Sequence, residues 1–104
     1  MWTLEQVRAE YHRLDRLLGI DTSGIPVRFS KRMTRQYGVC TFLKNRPQEI
    51  RLADFLRQED AVFWDTARHE YAHAAAALLT GNLCDRLVSL LRRRVYRAGD
   101  FSNE

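Results

Sequence analysis

From Asp60 the chain reads DAVFWDTARHEYAHAAAALLTG, and its apolar residues return every three or four positions. Phe63, Trp64, Ala67, Tyr71, Ala74 and Leu78 therefore share one side of an α-helix, the core side. Gly81 supplies the stop. A helix this long with one apolar face has to be covered by another layer, and the rest of the chain must supply it.

The residues before it supply a helix and three short strands. The first helix is expected over Leu4–Leu18, with Thr3 as N-cap and Gln6 completing a Thr-x-x-Gln capping box. Trp2 is placed to staple onto Val7, Gly19 ends the helix, and Leu4, Val7, Tyr11, Leu14 and Leu18 form its buried stripe. His12 lies off that stripe and reads as exposed. Ile25, Val27 and Phe29 alternate with Pro26, Arg28 and Ser30, the period of a half-buried strand, with the proline at its start or on an edge. QYGVCTFL reads as a second strand, KNRPQ as a turn and EIRL as a short third strand. Gly38 inside the second strand marks a bulge or a close backbone approach. After Gly81 a last helix follows, capped by Asn82 or Asp85, with Leu87, Leu90, Leu91 and Val95 on its apolar stripe. The fold class is α+β, a single domain over residues 1–104: N-terminal helix, three-stranded sheet, long helix and C-terminal helix.

Lysine and arginine number 17 against 13 acidic residues. That balance permits contact with a polyanion, but a solvated basic surface explains it as well. The two cysteines, Cys40 and Cys84, form no CxxC pair, which excludes a zinc ribbon. The first residues lack the apolar run of a signal peptide, and no segment approaches transmembrane length. The expectation is a cytoplasmic protein with reduced thiols, no membrane partner, a monomeric state and a loose tail at AGDFSNE.

Within the long helix, His69 and His73 are four residues apart, so their imidazoles stack one turn above the other and can meet one tetrahedral zinc ion. They point away from the Phe63–Tyr71 side, among the small residues Thr66, Ala76 and Ala77. Glu70, between them, is the general base of a His-Glu-x-x-His site. Zinc held there would lower the pKa of water toward 7 and polarise a scissile carbonyl. The plainer alternative is two exposed histidines flanking a glutamate on a solvated helix face.

Three stretches, RMTRQYGVCTF, EIRLADFL and TARHEYAHAAAALLTG, together resemble the SprT-like metallopeptidase domain, also found in the DNA–protein crosslink protease Spartan. The resemblance spans about Leu4 to Val95. It implies a zincin-like fold, one zinc ion bound by His69 and His73, base catalysis by Glu70, and protein substrates near DNA. It also implies a third histidine soon after the helix, in a Gly-His pair. Here the sequence departs, reading NLCDRLVSLLRR after the helix. Four readings stand open. The natural protein carries a short segment at this point that is missing here, or Asp85 is the third ligand, or Cys84 binds as thiolate, or the fold is decayed and holds zinc weakly or not at all. The intact template up to Gly81 favours the first. Asp85 reads equally as a helix N-cap, and Cys84 as a small buried residue. DNA contact would rest on Arg32, Arg35, Arg92, Arg93 and Arg94, whose plainer roles are solvated charge and, late in the last helix, complementing its dipole. The leading function is a zinc endopeptidase; the alternative is a DNA- or protein-binding module on a decayed protease fold.

Overall fold

The structure is a computed structural model in which residues 1–79 are described. The expectations for Gly81, Asn82, Cys84, Asp85, the last helix and Arg92, Arg93 and Arg94 lie outside the described residues.

Helix α1 runs Leu4–Leu18 as the capping signals require. The Thr3 side chain accepts from the Gln6 backbone N–H and the Gln6 side chain accepts from the Thr3 N–H, so two of the orphan donors at the helix start are satisfied. Gly19 ends it at φ 71°, a left-handed conformation that costs a glycine little. Val7, Tyr11 and Leu14 are buried, together with Asp15.

The sheet consists of β1 (Val27–Ser30), β2 (Gly38–Leu43) and β3 (Arg46–Ala53) in the order β1-β3-β2. It is mixed: β1 runs parallel to β3, and β2 antiparallel to it. Pro26 falls just before β1, and its carbonyl accepts from the Ile50 N–H at 2.9 Å. Two rows cross the inner face in register, Val27–Ile50–Cys40 and Phe29–Leu52–Gly38. On the outer face Glu49 binds both Arg28 and Arg51.

The turn is shorter than KNRPQ suggests. Lys44 and Asn45 alone make it, both at positive φ (52° and 66°), the geometry that matches the twist of a two-residue hairpin. Arg46 and Pro47 therefore belong to β3, which is twice the expected length. Pro47 is tolerated because β1 pairs with β3 only from Ile50 onward. Register slips between Thr41 and Phe42, which pair with Glu49 and Pro47, so Gln48 is the extra residue of a bulge. The irregularity thus sits here and not at Gly38.

A 3-10 turn, Asp54–Gln58, leads into α2, Asp60–Leu78. Phe63, Ala67, Tyr71, Ala74 and Ala75 are buried against the sheet and α1, and Trp64 is half-buried. Leu78, expected on this face, is 43 % exposed. The helix stops at Leu78, short of Gly81, and the extended backbone at Leu79 turns that side chain onto the core instead. Trp2 packs on α2, stacked on Phe63 at 6.2 Å and edge-on to Trp64 at 5.1 Å, with its indole N–H donating to Asp60 at 3.2 Å.

Candidate metal and catalytic site

The site is one stretch of α2, and its orientation is set from behind by α1. Tyr71 points inward and its hydroxyl donates to the buried Asp15 at 2.7 Å. Asp15 also accepts from the Thr22 backbone N–H at 2.8 Å and from the Thr22 hydroxyl. Burial, then the Asp15 carboxylate, push the Tyr71 phenol far above its ordinary pKa, so it remains a neutral donor. Tyr11 adds a second tie, its hydroxyl donating to the Ala67 carbonyl at 2.6 Å. Arg68 makes a third, donating to Glu10 at 2.9 Å. A hydrogen bond from Arg13, supplemented by Arg68, holds the Glu10 carboxyl below the usual glutamate range against the opposing effect of burial. These ties fix the rotation of α2 about its own axis.

With Tyr71 inward, His69 and His73 come to lie side by side and half-buried. Their rings meet edge to face at 4.7 Å between centroids, and their Nε2 atoms are 3.1 Å apart. Two nitrogens bound to one tetrahedral zinc ion at about 2.0–2.1 Å would be about 3.3 Å apart. The pair therefore fits two positions of a tetrahedral site with only a small adjustment. Among the described residues no group of three or more histidine, cysteine, aspartate or glutamate side chains is arranged to hold a metal.

Glu70 is fully buried, with both carboxylate oxygens out of contact with bulk solvent. It faces β2. A Cβ built on Gly38 would lie 2.9 Å from the Glu70 Cγ, 2.9 Å from the Thr66 Cγ2 and 3.3 Å from a Glu70 carboxylate oxygen. The glycine is there because the strand backbone and the helix side chains approach too closely for any other residue. Thr66 does not open space beside the histidines as its small size suggested. It is fully buried on the Glu70 side, and its hydroxyl has no hydrogen-bond partner among the described residues. Ala76 and Ala77, by contrast, are half-buried and exposed.

The SprT-like family profile matches residues 4–86, from the first turn of α1 past the end of α2. The chain belongs to the SprT-like family. This family is associated with zinc metallopeptidases. Comparisons with curated proteins and with solved structures give no match. Among the described residues of this SprT-like domain, no helix is long and apolar enough to cross a membrane.

Sequence reasoning picked out the two histidines and the glutamate, missed Asp15, and set Thr66 beside the histidines when it lies buried on the Glu70 side. Asp15 carried a usable signal. It is a carboxylate one position after Leu14 on the apolar stripe of α1, and such a group inside a core needs donors. Thr66 carried one too, standing four residues before Glu70 and so on the same helix face.

Proposed function

We propose that this SprT-like domain is a zinc-dependent endopeptidase that hydrolyses peptide bonds of protein substrates. The 3.1 Å approach of the His69 and His73 Nε2 atoms, with a buried glutamate next to His69 in the chain, carries this reading. His69 and His73 are the zinc-holding residues. Bound zinc supplies Lewis acidity toward the scissile carbonyl and the attacking water. Glu70 takes the water's proton on its carboxylate and delivers it to the departing amine. Its burial suits that task, since an enclosed carboxylate exchanges protons with the reactants and little with bulk solvent.

The substrate path follows β2. In the order β1-β3-β2 this strand has one side unpaired among the described strands, and it begins at Gly38, against Glu70. An extended peptide adding to that edge is held by main-chain hydrogen bonds and passes the carboxylate. Recognition through backbone groups suits unfolded or extended protein segments of varied sequence.

Metal analysis and a peptidase assay on the full chain test the proposal. Glu70→Gln should keep about one zinc per chain and lose activity by a factor on the order of 10² to 10⁴. His69→Ala and His73→Ala should each lose the metal. Asp85→Ala is the first variant to examine for the third protein ligand: loss of zinc would assign that role, and retained zinc would leave Asp85 as a helix cap. A wild-type chain that held no zinc at saturating metal would overturn the proposal.

A further inference from the structure

We infer that Gly38 is a positioning residue for Glu70, with β2 serving as a fixed stop against which the glutamate stem rests. The inference builds on the proposed role of Glu70 but concerns a contact that exists whether or not the domain cleaves peptides.

A free glutamate side chain samples several rotamers about each of its torsions. Here three features of the gap at Gly38 limit that freedom. The first is the Gly38 backbone, close enough that a Cβ there would come within 2.9 Å of the Glu70 Cγ. The second is the Thr66 methyl, which would lie equally close, 2.9 Å, to that same Cβ and so lines the same gap. Thr66 is β-branched and helical, so its χ1 is restricted and its methyl cannot swing far. The third is β2 itself. Gly38 pairs with Leu52, and the Ala53 N–H donates to the Tyr37 carbonyl at 2.8 Å, so the start of the strand is held on the central strand and cannot retreat. Tyr37 is further held edge-on against Phe55 at 6.0 Å. The Glu70 stem thus faces a pinned strand across a gap that a stiff methyl, one turn earlier on its own helix, also lines.

This explains why position 38 accepts no side chain, although glycine weakens a strand interior. An alanine would push hardest at the middle of the Glu70 side chain and crowd a carboxylate oxygen as well, so the carboxylate would move. Misplacing a reacting group by about 1 Å costs roughly 10²-fold in rate. Gly38→Ala is therefore expected to lower kcat by about ten- to a hundredfold, with KM and zinc content unchanged.

Two cycles test this, one of them independent of catalysis. In the first, Gly38→Ala is made in the wild type and in Glu70→Gln. A residue acting through the Glu70 carboxylate costs little more once that carboxylate is gone; the same loss in both backgrounds would overturn the inference. In the second, thermal melting of the metal-free chain is followed for Gly38→Ala alone and combined with Thr66→Ser or Glu70→Ala. Removing the Thr66 methyl or the Glu70 stem should each return part of the lost melting temperature, because each vacates one of the two 2.9 Å contacts. Wild-type melting and kcat in Gly38→Ala would show that the glutamate is not braced there. If Gly38→Ala unfolds the chain and neither second substitution restores folding, the glycine serves the sheet and the inference fails. A chain without peptidase activity in which the melting cycle behaves as described would sustain the contact and refute only the proposed enzyme.

Discussion

Asp15 is expected to be one of the costliest single residues to truncate in this domain, although it lies on the far side of α2 from the histidines. Asp15→Ala removes the acceptor for the buried Tyr71 hydroxyl, the Thr22 N–H and the Thr22 hydroxyl at once. Leaving a buried donor unsatisfied costs about 1–3 kcal/mol. The Tyr71 phenol and the Thr22 N–H are both shut away from water, so the loss should be about 4 kcal/mol. For a domain of this size that corresponds to a fall in Tm of roughly 20 °C. Tyr71→Phe is milder, about 1.5–2 kcal/mol, because Asp15 keeps both Thr22 donors. Combining the two should cost less than their sum by about 1–2 kcal/mol, since the second substitution removes the donor that the first strands. Urea unfolding of the four proteins, read from midpoints at constant m, measures all three quantities. An Asp15→Ala chain within about 1 kcal/mol of Tyr71→Phe, or strict additivity, would refute the reasoning.

The other predictions concern charge and turn geometry. Glu10 has its folded pKa lowered by Arg13 and Arg68, so it contributes stability above its unfolded value, and that contribution disappears as pH falls from about 4.5 through the lowered folded value. Urea midpoints followed from pH 6 to about pH 3 should decline less steeply in Glu10→Gln than in wild type over this window; parallel curves would exclude the role. Replacing Lys44 by Asn and Asn45 by Gly should stabilise the domain by about 0.5–1 kcal/mol, because both positions have positive φ and Asn-Gly is the favoured two-residue hairpin. A lower melting temperature in that double variant would argue against this turn geometry.

Helix α1 was legible to the residue because its ends are written in local chemistry: a capping box at Thr3 and Gln6, and a left-handed glycine at position 19. The pair His69 and His73 was legible because helical spacing alone places two imidazoles together. The β2–β3 turn was not. Arg46 and Pro47 look like turn residues, and only the pairing partner decides that a proline can occupy the end of β3. The Asp54–Gln58 turn is too short to show a period. Leu78 misled because it is the last residue of α2, where periodicity continues the apolar stripe but the side chain is exposed. The approach of Gly38 to Glu70 depends on the distance between a strand and a helix far apart in sequence. The sequence could suggest a close approach at that glycine, but it could not say to what.

The bulge at Gln48 sets a limit on what the side of β2 left unpaired among the described strands can receive. Regular pairing with β3 holds from Gly38 to Thr41 and then slips. Four strand residues correspond to about 13 Å of extended chain, so a peptide lying along that side finds a straight template for only a few residues. Beyond it the hairpin end carries Phe42 and Leu43, 45 % and 58 % exposed, two apolar side chains on a strand with one side unpaired among the described strands. A long flat edge of that composition would invite a second copy of the chain to continue the sheet. The extra residue bends the ladder just before those side chains and so interrupts the regular template that a second copy would need. One inserted glutamine in β3 thereby shortens the straight part of the β2 edge to the residues from Gly38 to Thr41.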